Sequence, residues 1–449
     1  MSGIINLLAF LVLTAMQITY LFRYSARLKD PTNSSRYLLL EGTEMFFVVL
    51  MATATLALSS SGGGTGGGSG FNLQSIRLLL LEVLIVLSFF IVRCRPRWGV
   101  GTVVYLAYLL WLVVSLTMTP ALDYGVRYLL KYLFPFLMML CASAIVRDEK
   151  VFLAVCVWAR RIALLSTTVI FIPFVKWQLL LGFFWYETAL NLHYVAISVL
   201  SFALFFFYGR DWRDLLLAVI FVLPCIVEVH RTGLMAMFAG LAVFFFFKFR
   251  WISLPYIVGV LAIGAAIVIY VPSFHEKMFW KDTEQEISMS DLYNGNVSEE
   301  DIRNNGREAL WGMLEDQFYK GHELTGSGLG CCQWLLYSNP DIVKQTHGDY
   351  IQMRCDTGQI GMWLYIAVAV AILLHCFVMC VNPYNPAHVK CCAMIAASAV
   401  TGHFFGMYSD NVVTYTMATT GVSFAFYGMA LGLSANVEKP HETLKAGSL

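Results

Sequence analysis

Residues 346–381 read THGDYIQMRCDTGQIGMWLYIAVAVAILLHCFVMCV. The first part is polar, with His347, Asp349, Arg354 and Asp356, and the remainder is an almost continuous apolar run. Such a run is long enough to cross a hydrocarbon layer as a helix. A polar segment feeding into it predicts a membrane helix whose first turn stands at a surface. The same pattern recurs along the chain, which is 58% hydrophobic and only 13% charged. Soluble domains carry about a quarter charged residues, so that class is excluded.

Runs of roughly 18 to 24 residues predict spans at 4–22, 37–59, 76–93, 99–119, 125–146, 162–182, 192–208, 214–229, 232–249, 252–271, 357–381, 392–408 and 411–433. The expected fold is an all-α, polytopic helical membrane protein of about 12 to 13 transmembrane helices, with one large extracytoplasmic loop before the last two or three. The first run lacks a basic flank and a small-residue cleavage site, so it reads as a retained helix. Segment 147–161 suits a cytoplasmic amphipathic piece as well as the start of a span. The expected divisions are N-terminal helices over 1–190, core helices over 191–271, the loop over 272–356, C-terminal helices over 357–433 and a cytoplasmic tail over 434–449.

Basic residues recur at alternate span ends: Arg23 to Arg36, Arg93 to Arg97, Arg147 to Arg161, Arg210 and Arg213, Lys248 and Arg250, Lys390, Lys439 and Lys445. All fall on one side if the N-terminus is outside, and the positive-inside rule names that side cytoplasmic. Loop 272–356 is then external, as are the helix ends carrying Arg127, His193, His230, Arg231, His403 and Asp410. The net charge of +1 gives no reason to expect a nucleic-acid partner. Of the eleven cysteines, most sit in apolar runs as small hydrophobes, and their spacing matches no zinc pattern.

The loop has two parts. Residues 281–301 are acidic and polar and read as a loosely ordered stretch, while the Gly/Ser tract 59–70 reads as a flexible external loop with no site of its own. From Arg303 the composition turns helical through Trp311, with Asn304 or Asn305 as the cap and Arg307 in the first turn. Thr325-Gly326-Ser327-Gly328-Leu329-Gly330 follows. Its alternating glycines suit a tight turn, or close approach of backbone N–H groups to an anion or sugar.

Four residues stand where chemistry at a membrane surface is expected. Arg231 opens a span, and a guanidinium at a helix N-terminus suits phosphate oxygens; snorkelling or pairing with Glu228 is the structural alternative. His347 precedes a helix beginning near Gly348, whose positive end disfavours the imidazolium and keeps a neutral base. Arg127 and Lys131 add positive charge near another external helix start. Tyr350 and Arg354 share a face, and Gly358 with Gly361 form a small-residue face for helix packing.

These residues resemble the bacterial O-antigen ligase and polysaccharide polymerase superfamily over about 190–430. His230-Arg231-Thr232-Gly233-Leu234 is similar to the family's Arg-x-x-Leu opening of a helix. Gly306-Arg307 precedes a Trp-containing helix and the Gly326/Gly328/Gly330 tract. His347 is followed by ten residues and then Gly358-Gln359-Ile360-Gly361. The resemblance implies inverting glycosyl transfer, without metal or cofactor, at the outer face of a bacterial plasma membrane. The donor would be a glycan on undecaprenyl diphosphate. Arg231 and Arg307 would bind the diphosphate, assisted by Arg127, and His347 would act as general base. Gly326, Gly328, Asp349 and Tyr350 would contact the glycan or order the loop. A chain-length regulator and a flippase are the implied partners.

Ligases of this kind usually follow the histidine with Asn, Ser or Gln. Gly348 stands here, which favours a repeat-unit polymerase for O-antigen, capsule or exopolysaccharide over a ligase. A transporter would place polar or broken helices at midmembrane. A glycosyltransferase using polyprenyl-phosphate sugars would carry an acid in its first external loop, and 60–75 has none.

Overall fold

The structure, a computed structural model, describes residues 2–22, 25–29, 37–54, 73–92, 94–171, 187–209, 211–273, 307–339 and 345–435. The Gly/Ser tract, the acidic segment 281–301, Asn304 to Gly306 and the residues from 436 onward lie outside the described residues.

Backbone in lipid must satisfy its own hydrogen bonds, so apolar runs fold as helices. In chain order these are α1 (Ser2–Phe22), α2 (Gly42–Ala52), α3 (Leu73–Ile91), α4 (Val100–Leu116), α5 (Leu122–Ile145), α6 (Glu149–Phe171), α7 (Glu187–Phe207), α8 (Trp212–Ile220), α9 (Leu223–Val227), α10 (Arg231–Phe249), α11 (Leu254–Tyr270), α12 (Arg307–Leu314), α13 (Cys331–Ser338), α14 (Asp349–Val381), α15 (Ala387–Gly406) and α16 (Thr420–Ser434). Among the described residues, five helical stretches are long and apolar enough to cross a membrane: Leu122–Ile145, Glu149–Thr168, Arg231–Ile267, Asp349–Val381 and Ala387–Gly406. The protein is a polytopic helical membrane protein.

α15 and α16 form the centre. α16 runs along α5, and α15 packs against α7, α10, α14 and α16. Lipid offers no hydrophobic drive between helices, so association depends on close backbone approach at small residues. Gly240 of α10 faces the Ser398 carbonyl of α15, while Gly402 of α15 faces the Ala236 carbonyl of α10. Leucines and valines such as Leu79, Leu110 and Val258 remain exposed on α3, α4 and α11, the faces that meet lipid.

α14 and α15 run in opposite directions, so polar groups sort to two ends. At one end Arg147 donates to the Arg95 carbonyl at 2.6 Å, Tyr208 to Glu149 at 2.7 Å, and His388 stands 3.5 Å from Glu149. Arg307, His347 and Asp410 occupy the other end.

Several predicted boundaries change. Residues 37–59 do not form one span: Tyr37–Glu41 pairs antiparallel with Ser25–Lys29 as a short β-hairpin before α2 begins. Within segment 147–161, residues from Glu149 onward are the first part of α6, which continues to Phe171. The predicted span 214–229 is two short helices, with Pro224 opening the second because its missing N–H is tolerated in a first turn. Residues 411–419 are turns around a short 3-10 helix at Val413–Tyr415, and the α-helix covers only Thr420–Ser434. α14 starts at Asp349 and breaks at Gly358, which has φ 68° and ψ −172°.

That break replaces the expected small-residue helix face. The Leu324 carbonyl and the Gly326 amide press against Gly358 where a Cβ would stand. Gly358→Ala must therefore adopt a backbone region that is essentially glycine-only, at about 1–3 kcal/mol before any clash. Its thermal unfolding midpoint in detergent falls well below that of the wild type; an unchanged midpoint would mean the break relaxes freely.

Candidate active site at the helix ends

α15 ends at Gly406, and the chain turns back through Met407 to Val413 before α16. Buried Asp349 pins this return. Its amide donates to the Met407 carbonyl at 2.9 Å, and its carboxylate accepts the Val413 amide at 2.9 Å. Held between those bonds, Ser409-Asp410-Asn411 presents three polar side chains to three different parts of the chain.

Ser409 faces α10 and α12. Its hydroxyl lies 2.8 Å from that of Thr232, and its carbonyl accepts an N–H from Arg307 at 2.6 Å. Asp410 faces the start of α10, with Oδ2 3.2 Å from His230 Nε2. His230 Nδ1 accepts the Gly233 amide at 2.9 Å. Because Nδ1 accepts, Nε2 carries the proton and donates to Asp410. His230 therefore caps α10 and is fully engaged. Arg231 sits between His230 and Thr232, so both of its neighbours are tied to Ser409 and Asp410.

Asn411 faces the segment before α14. Its Oδ1 accepts the His347 amide at 3.0 Å and the Thr346 hydroxyl at 3.1 Å. Its Nδ2 donates to Gln345 Oε1 at 3.1 Å and lies 3.4 Å from His347 Nδ1. Trp311 of α12 donates its indole N–H to the Thr346 carbonyl at 2.8 Å, which brings α12 and Arg307 over the same place. His347 itself is left-handed, with φ 50°, an uncommon conformation outside glycine.

Arg307 is partly buried, which draws its guanidinium below the ordinary value, with Asp410 opposing; it remains a cation. Burial lowers the pKa of His347, the Arg307 charge lowers it further, and Asp410 partly compensates. Near neutral pH the imidazole is uncharged, beside a fixed positive charge. These causes, burial and the Arg307 charge, are not visible in the sequence.

Of the residues singled out from sequence, Arg307, His347 and the helix start holding Arg231 meet around Ser409 to Asn411. Arg127 instead packs over the Tyr124 ring at 5.3 Å. Asp349 is 2% exposed and serves the 407–413 turn. Tyr350 donates to the Phe404 carbonyl at 2.8 Å, and Arg354 pairs with Glu315. The close approach that glycine allows at Gly326 and Gly328 is made to protein backbone, at Asp356 to Gly358 and at Met118 to Thr119. His193 and His403 are buried and bonded to the Ala418 and Leu192 carbonyls.

Cys331, Cys332 and Asp356 bring potential metal-ligating atoms within 4.8 Å of one another. The carboxylate already accepts the Gly330 and Cys332 amides and the Cys331 thiol, so it caps α13. Burial pushes the Cys331 thiol up to about 12, which leaves it protonated and suited to that donor bond.

Ser409, Asp410 and Asn411 were missed as site residues. Their signal was three consecutive polar residues in MYSDNVV, placed at the margin of a predicted span.

Residues 216–366 match the O-antigen ligase family model, Wzy_C. No curated protein matches the chain. The match supports the O-antigen ligase and polymerase superfamily, and with it an O-antigen ligase-type membrane enzyme. The O-antigen ligase segment contains Arg231, Arg307 and His347 and ends before Ser409 to Asn411. Those three residues thus stand outside the matched segment while contacting both its arginine-bearing helices and its histidine.

Proposed function

We propose that this protein is a membrane glycosyltransferase that polymerises oligosaccharide repeat units carried on polyprenyl (undecaprenyl) diphosphate, at the outer face of the bacterial plasma membrane. The observation that carries this reading is the meeting of Arg307, His347 and the Arg231 helix start around Ser409 to Asn411 at one end of the membrane helices. In the reaction an acceptor hydroxyl oxygen bonds to the anomeric carbon, the bond to the diphosphate breaks with its electron pair, and the hydroxyl proton passes to His347 acting as general base. The charge that grows on the diphosphate is large, and preplaced guanidinium groups stabilise it more in the transition state than in the ground state. Arg307 and Arg231 take that role. Arg127 adds positive charge nearer Tyr124.

The residue after the histidine, Gly348, favours polymer growth over ligation. Purified protein given lipid-linked repeat units is expected to produce a ladder of lengthening products and free polyprenyl diphosphate. A single transfer to a different acceptor, with no ladder, would replace the polymerase reading with the ligase reading. Movement of lipid-linked glycan across vesicles without any new glycosidic bond would favour transport instead.

A further inference from the structure

Beside the loop's glycine tract lies a cluster that glycan transfer does not use. Cys331 and Cys332 open α13, and Cys355 stands near the start of α14. All three are fully buried, in one apolar cluster with Leu314, Phe318 and Leu336. In the structure they are thiols. Two pairs of chain neighbours, Cys331-Cys332 and Cys355-Asp356, face each other. The Cys355 carbonyl accepts the Ser327 amide at 2.9 Å and lies 3.8 Å from Cys331 Sγ. The Asp356 carboxylate accepts the Cys332 amide at 3.1 Å and the Cys331 thiol at 3.1 Å. The Cys332 thiol meets the Cys331 thiol on one side and the Cys355 thiol on the other.

Three thiols allow three pairings, and the geometry chooses among them. Cys331 and Cys332 are adjacent in the chain, with Cα atoms about 3.8 Å apart, closer than the roughly 4.4–6.8 Å that a disulfide spans. Cys331 turns its sulfur to the Asp356 carboxylate, and what it touches of Cys355 is the carbonyl. Cys332 and Cys355 remain, thiol against thiol. Taking loop 272–356 as external, as the basic residues predict, and independently of the glycan-transfer reading, we propose that Cys332 and Cys355 form a disulfide in the mature protein, while Cys331 stays a thiol held by Asp356. The bond closes a ring that contains His347 and ties α13 to α14.

The bond forms by exchange with a protein disulfide oxidant, the class of reagent that thiols meet outside a bacterial plasma membrane. One cysteine thiolate attacks the oxidant's disulfide, and the second then displaces the oxidant from the mixed disulfide. Two thiols of this chain become one S–S bond. The oxidant's disulfide becomes two thiols, taking up two electrons and the two protons that the cysteines release. Because the cysteines are sealed from solvent, exchange precedes closure of the cluster during folding. A thiophilic metal is the competing use of these groups, on Cys331, Cys332 and Asp356. Both oxygens of that carboxylate already accept amides, from Gly330 and Cys332, and such a site would leave Cys355 out.

The test takes the full-length protein in bacterial membranes, denatures it in a thiol-alkylating reagent with and without prior reduction, and digests it with trypsin. Cleavage after Lys344 and Arg354 puts Cys331 and Cys332 on one peptide and Cys355 on another. Without reduction the two peptides are expected as one cross-linked species, with an alkyl group on Cys331; reduction separates them. Cys331→Ser should keep the cross-link and Cys332→Ser should abolish it. The proposal is overturned if Cys332 and Cys355 are both alkylated before reduction, if the cross-link runs through Cys331, or if a stoichiometric metal co-purifies and is lost in Cys332→Ser. The wild-type digest decides the matter if a variant does not fold. Polymer formation by a chain without the cross-link would remove the disulfide and leave the glycan-transfer reading standing.

Discussion

His347→Ala lowers glycan transfer by about 10²- to 10³-fold, within the usual cost of deleting a general base, while the protein still inserts and folds. The fold should tolerate the change because Asn411 holds the backbone N–H of residue 347, which alanine retains. Only the ring is lost, and with it the group beside Arg307. The same substitution has a thermodynamic signature. The folded imidazole has a pKa below its ordinary value, chiefly through burial. The unfolded chain therefore binds more protons in the window between the lowered value and about 6.5. Stability from this group is present above the unfolded pKa and is lost as pH falls through the folded one. The alanine variant should lack that acid-side loss in thermal unfolding. Unchanged polymer yield and length would remove His347 from the chemistry.

The fold class was legible because each apolar run is long and nearly free of charge, so its helical state depends on local sequence and lipid alone. Boundaries were read less well where a polar or breaking residue acts through a distant partner. Gly358 looked like a packing face because its spacing to Gly361 is helical. Its positive φ follows from the Leu324 carbonyl and Gly326 amide pressing in from the loop, and nothing near Gly358 in sequence announces that. The glycine tract showed its turns but not its target.

Arg231 and His347 were legible as functional candidates for a simpler reason, whereas Arg307 entered only through the family resemblance. A charge or imidazole beside a membrane helix is costly to place without a partner or a task. Ser409 and Asp410 fell in the two-residue gap between predicted spans 392–408 and 411–433, and Asn411 at the start of the second, so they read as a bare helix connection. Their importance comes from tertiary contact: His230 and Asp410 are 180 residues apart, and Arg307 and Ser409 are 102 apart. Asp349 was legible as a polar residue near His347, but its inward turn toward Val413 depends on where the chain returns after α15.

Arg307→Ala is expected to cost on the order of 10³-fold in kcat, at the lower end of what an arginine supplies to phosphate-centred transition states. The guanidinium spends one N–H on the Ser409 carbonyl, at 2.6 Å, and has five N–H donors in all. The bond fixes the plane of the fork and leaves other donors to address phosphate oxygens. Alanine removes both charge and fork, and it also frees the Ser409 carbonyl, so part of the loss comes from a looser turn beside Thr232 and His230. Arg307→Lys separates these contributions. Lysine keeps a positive charge but cannot reproduce planar, two-point contact. A lysine variant with near-normal KM and kcat reduced about tenfold to a hundredfold would assign the fork to the departing diphosphate. Full activity in that variant would reduce Arg307 to a charge that holds the turn in place, and the diphosphate would then have to rely on Arg231.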